Sequence, residues 1–61
     1  MRQNLEQFRK QSNLTQAQIA NILGISERQY RRIENKESLG TIEFWLKISA
    51  YFNTTIDYLL Q

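Results

Sequence analysis

The chain has no cysteine, no histidine and no proline, and only two glycines among its 61 residues. Without cysteine there is no disulfide framework, and without cysteine or histidine the usual donors of a structural zinc site are gone. A domain this short that lacks both staples has to stand on its apolar core. With 41% hydrophobic residues the composition suffices for one such core, and its small size favours a helical fold of local contacts. No apolar run approaches the roughly 18 residues of a spanning helix, and the start has none of the features of a secretory signal. The expectation is a soluble, intracellular, cytoplasmic protein without a membrane partner. Linkers, low-complexity tracts and repeats are also missing, so residues 1–61 read as a single domain. With no histidine or cysteine, no glycine-rich phosphate loop and no paired carboxylates, nothing points to an enzyme, a metal or a cofactor.

What is present is a local concentration of positive charge. The net charge is only +2, with eight Lys and Arg against six Asp and Glu. Globally that is a weak signal for nucleic acid. Four of the eight cations, however, fall between Arg28 and Lys36, which makes one basic patch.

The apolar spacing predicts five short helices. Residues 2 to 11 form the first, with Leu5 and Phe8 on one face and Arg9 at its border. Thr15 opens the second through a capping box with Gln18, and Ile19, Ile22 and Leu23 form its buried stripe beside Ala20. Gly24 ends it at a position that needs a left-handed backbone, and Ile25 plugs the turn. Ser26 and Gln29 make a second capping box. Two capped helices joined by a glycine turn are the grammar of a helix-turn-helix. On the third helix a step of about 100° per residue sends Tyr30 and Ile33 inward and Arg28, Arg31 and Arg32 outward. Asn35 is the expected left-handed end of that helix, and residues 36–40, KESLG, form a loop. Thr41 caps a fourth helix to about Phe52, with Ile42, Trp45, Leu46, Ile48, Ser49 and Phe52 inward and Phe44 and Tyr51 outward. Asn53 ends it, and Thr55 caps a fifth helix that packs through Ile56, Leu59 or Leu60.

The runs LTQAQIANILGIS, YRRIEN, TIEFWLKIS and TTIDYLL resemble the Cro/CI, Xre-type helix-turn-helix domain over nearly the whole chain. The resemblance implies an all-α, compact five-helix, lambda-repressor-like fold, with the helix-turn-helix at the second and third helices. It also implies the function of the phage repressors and bacterial regulators that use this fold, namely binding double-stranded DNA. Carried over by position, it makes Glu27, Arg28 and Arg32 base-contacting, and gives Gln16 a backbone phosphate and a bracing role. Asn35 and Lys36 become further backbone contacts, and Arg9 and Glu34 a structural ion pair joining the first and third helices. In a departure from some relatives, the KESLG loop carries one Lys and one Glu in place of several basic residues.

Several side chains have two roles open to them. Arg31 either meets phosphate or is merely solvated. Glu27 accepts from a cytosine amine or orients a neighbouring arginine; alternatively it stabilises a helix N-terminus by its charge alone. Phe44 and Tyr51 either fold against the fifth helix or join Leu39, Ile56 and Tyr58 in a self-association surface. That surface would make a weak homodimer, whose two recognition helices meet an inverted repeat about 34 Å apart. The competing function is a protein-binding module of the same fold, antitoxin-like, holding a protein partner with weak or no DNA binding.

Overall fold

The computed structural model describes residues 2–61, folded as α1 (Gln3–Gln11), α2 (Gln16–Leu23), α3 (Glu27–Glu34), α4 (Ile42–Phe52) and α5 (Ile56–Leu60). Four of these helices begin where a hydroxyl accepts an otherwise orphaned backbone N–H. Thr15, Ser26, Thr41 and Thr55 accept from Gln18, Gln29, Phe44 and Tyr58 at 3.0–3.1 Å. In the first two the glutamine returns the bond to the cap backbone, so both capping boxes are complete. The helices before the last end in a common way. A left-handed residue (Asn13, Gly24, Lys36 or Asn53) turns the chain, and two backbone N–H groups close on the final carbonyls.

The helices enclose one core of Leu5, Ile19, Ala20, Leu23, Tyr30, Ile33, Phe44, Trp45, Ile48 and Leu59. Ala20, 1% exposed, presents only a methyl, which lets α2 lie close to its neighbours. Gly40 is required where the α3–α4 loop crosses the core. Its φ is +80°, and a Cβ there would come within 3.2 Å of Ile33 Cδ1 and 3.3 Å of Trp45 Nε1. Trp45 Nε1 in turn donates to the Leu39 carbonyl at 2.7 Å, which pins this loop to α4.

Some sequence expectations are corrected. Phe44 does not point outward; it is 5% exposed and packs against Tyr30 and edge-on to Trp45. Ile42 and Leu46, expected inside, are 78% and 57% exposed. α4 is apolar around most of its circumference, so spacing alone fits more than one buried face. The face chosen is the one that buries two aromatic rings, the largest apolar areas available. Ile22 also lies outside, because the short α2 buries only Ile19, Ala20 and Leu23. Asn35 keeps a helix-like backbone at φ −84°, and the left-handed step falls one residue later, on Lys36 at φ +64°. The first helix begins at Gln3, with Arg2 as its cap residue and no capping side chain.

Candidate DNA interface

The outer face of α3 is held in place by a buried carboxylate. Glu34, 0% exposed, accepts from Arg9 Nε at 2.9 Å and Arg9 Nη2 at 3.3 Å, a forked pair that ties α1 to α3. Gln16 Nε2, from the first turn of α2, donates to it at 3.0 Å, and the Tyr30 hydroxyl donates at 2.8 Å. Three helices are thus joined through one side chain. Arg9 also donates to the Leu14 carbonyl at 2.9 Å, fixing the α1–α2 turn. Burial opposes the Arg9 charge most strongly, yet the hydrogen bond and charge of Glu34 outweigh it and hold the Arg9 pKa above its usual value. The Tyr30 phenol is pushed well above its ordinary range, chiefly by burial and then by Glu34 beside it.

With α3 fixed, its phase aims the cations outward. Tyr30 and Ile33 are buried, while Arg28, Arg31 and Arg32 are exposed and have no ion-pair partner among the described residues. Glu27, also exposed, forms no ion pair with any of them. Its position in the first turn of α3 suits a negative charge. Lys36, exposed, is the second residue after α3, and Asn35 between it and the helix is half-buried. Gln16 is also half-buried; its amide serves the bracing bond to Glu34 and retains a second N–H.

Beside Arg32 an open groove of ≈ 720 Å³ runs between α3 and the following loop, lined by Ile25, Gln29, Leu39 and Phe44 among others. The described residues hold no His, Cys, Asp or Glu cluster suited to a metal. Of the residues expected in a self-association surface, Leu39 and Phe44 line this groove. Tyr51 and Tyr58, about half exposed, flank a stacked Phe8–Phe52 pair instead. Ile56 is half-buried against the core, and Phe44 leaves the set entirely.

Sequence reasoning missed two participants. One is the Tyr30 hydroxyl, hidden behind the correct inference that its ring is core. The other is Arg2, which is 6% exposed and bonded to the end of α3. Position alone carried no signal for Arg2, because nothing in the sequence shows the chain start lying under the third helix.

A domain that joins two capped helices by a glycine turn and faces arginines outward from the second is a helix-turn-helix DNA-binding domain. The family model described as Helix-turn-helix matches residues 5–59, and the chain belongs to that family, in its Cro/CI, Xre-type form. A curated relative is the cryptic phage CTXphi transcriptional repressor RstR of Vibrio cholerae serotype O1 (strain ATCC 39315 / El Tor Inaba N16961). It is 39% identical over 59 residues, which cover 97% of this chain and 53% of that protein. The chain therefore spans about half the length of the relative it matches. No solved structure matches it significantly. No helix among the described residues is long and apolar enough to cross a membrane.

Proposed function

We propose that residues 1–61 act as one unit that places α3 in the major groove of double-stranded DNA and represses transcription at an inverted repeat. The observation that carries this reading is the set of outward arginines on α3, without an ion-pair partner among the described residues, on a helix locked by the Glu34 carboxylate. A major groove admits one α-helix, and an arginine fork matches guanine O6 and N7. In this reading Arg28 and Arg32 contact bases, and Glu27 either accepts from cytosine or serves the helix N-terminus. Arg31, Lys36, Asn35 and the spare Gln16 N–H take phosphates. The protein works in the cytoplasm and has no catalytic role. Its resemblance to a phage repressor supports repression as the outcome.

One recognition helix reads only a few base pairs, so the proposal includes a weak homodimer strengthened on DNA. The aromatic strip of Tyr58, Phe8, Phe52 and Tyr51 supports a second copy there better than Leu39, which lies by the groove. Selection of bound sequences from random duplex DNA tests both parts at once. Enrichment of an inverted repeat is expected; failure to enrich any sequence would remove the DNA reading and favour a protein partner. Sedimentation of wild type on the enriched duplex should show two copies. The double variant Tyr51→Ala, Tyr58→Ala should shift it to one copy, and a strict monomer for wild type would refute the dimer.

A further inference from the structure

An α-helix leaves its last four carbonyls without partners inside the helix. At the end of α3 every one of them is taken. Arg31 O accepts from Asn35 N at 2.9 Å, and Arg32 O from Glu37 N at 2.8 Å and Ser38 N at 3.2 Å. Ile33 O accepts from Lys36 N at 3.2 Å and also from the Arg2 guanidinium. Glu34 O accepts from the Arg2 backbone N–H at 2.8 Å. The same Arg2 Nη1 reaches the Ser38 carbonyl at 3.2 Å, so one cation bridges the last turn of α3 and the loop after it. Its Cζ lies 5.2 Å from the Trp45 ring centroid, in range of a cation–π contact.

This placement is not explained by packing alone. Arg2 has no carboxylate partner among the described residues, and its buried Nε has no hydrogen-bond partner. Burial alone lowers its pKa, the mark of a charge held where it is costly. What offsets that cost is the negative end of α3 and the two carbonyls. The segment that these bonds fix carries Arg32, Asn35 and Lys36.

We infer that Arg2 is a positioning residue for DNA binding: its guanidinium clamps the end of α3 to the following loop and so sets where Arg32 and Lys36 meet the duplex. It acts without touching DNA, since it is 6% exposed and its bonds face the protein. The inference rests on the major-groove reading above.

Arg2→Met, Arg2→Lys and Arg32→Ala are compared with wild type on the duplex enriched from the random pool, at a temperature where circular dichroism shows each variant folded. Arg2→Met should bind about tenfold more weakly, and its log–log salt slope should shrink by about one as Lys36 loses its phosphate. Arg2→Lys should recover part of the loss, because its ammonium keeps the charge at the helix end but lacks the planar fork. A purely structural Arg2 would lower the melting temperature while leaving the affinity and slope of the folded protein at wild-type values; that result overturns the inference. If Arg2→Met does not fold, Arg2→Lys decides. Weaker binding with a smaller slope supports the clamp, and wild-type affinity and slope refute it. Arg32→Ala separates the two levels of failure. If it binds as wild type, the major-groove reading falls and takes the clamp with it. If it loses binding while both Arg2 variants keep theirs, only the clamp falls.

Discussion

Arg9 lies 8% exposed on α1 with its guanidinium on the Glu34 carboxylate, whereas Arg28, Arg31 and Arg32 stand in solvent on α3 with no ion-pair partner among the described residues. The two groups are only one helix apart through Glu34, and they share one side-chain chemistry. What separates them is desolvation. A guanidinium stripped of water has to be satisfied inside the protein, and its removal strands whatever satisfied it. A solvated one contributes little to folding and keeps its five donors for an outside acceptor. The first group thus serves stability, and the second is the one proposed for recognition, a division that mutation can test.

The largest effect should come from Arg9→Met. It leaves Glu34 buried with only Gln16 and Tyr30 as partners, and should cost about 3–5 kcal/mol of folding stability. Against the roughly 5–15 kcal/mol of a typical domain, that loss would bring so small a protein near its midpoint at room temperature. Urea titration followed by circular dichroism measures it. Replacing both partners (Arg9→Met with Glu34→Met) should be more stable than Arg9→Met alone, since no charge is then stranded. Equal stability of the two variants would mean that the buried carboxylate is not the source of the cost.

Arg28→Ala and Arg32→Ala should behave in the opposite way. Each should move folding stability by no more than about 0.5 kcal/mol, as expected for exposed positions. Each should weaken binding to the selected duplex by about 1–3 kcal/mol, read by titration at fixed salt. A melting temperature that fell as far as that of Arg9→Met would erase the distinction between the two groups.

Tyr30 sharpens the comparison from the buried side. Its phenol ionises above its ordinary range in the folded protein and at about 10 in the unfolded chain. Above that pH the unfolded state binds fewer protons than the folded one, so stability falls as pH rises, by up to about 1.4 kcal/mol per unit. Below it this contribution is fully present. Tyr30→Phe should remove this alkaline slope while costing about 1 kcal/mol at neutral pH for the lost bond to Glu34. Thermal melts of both proteins from pH 8 to pH 11 measure the difference; parallel curves would show that Tyr30 does not couple folding to alkaline pH.

Much of this division can be read from the sequence because it depends on local rules. Caps at Thr15, Ser26, Thr41 and Thr55 and the glycine at 24 set the helix boundaries, and α3 has polar residues enough to leave one possible phase. α4 is different. Being apolar on most sides, it offers no polar face to exclude an orientation, and its rotation is decided by which rings fit beside Tyr30. Arg2 could not be placed for a related reason: its partners are carbonyls more than thirty residues away, and carbonyls have no sequence signature.

The smallest effect concerns Lys36, where a strained backbone and a proposed phosphate contact fall on one residue. The chain turns left-handed at four helix ends, and Asn13, Gly24 and Asn53 are residue types that tolerate it. Lys36 is not, yet it closes α3 with the same pair of bonds, Lys36 N to Ile33 O and Glu37 N to Arg32 O. A lysine at φ +64° carries backbone strain that glycine would relieve, partly offset by the greater entropy glycine loses on folding. Lys36→Gly should therefore raise stability by about 1 kcal/mol at most, visible as a small rise in melting temperature. The same change should reduce the salt slope of DNA binding by about one and weaken binding alike on all sequences. A more stable variant with a weaker hold on phosphate would explain why a strained lysine stands at the edge of the recognition helix. A stabilised variant with an unchanged slope would leave the strain without a functional role and move Lys36 out of the interface.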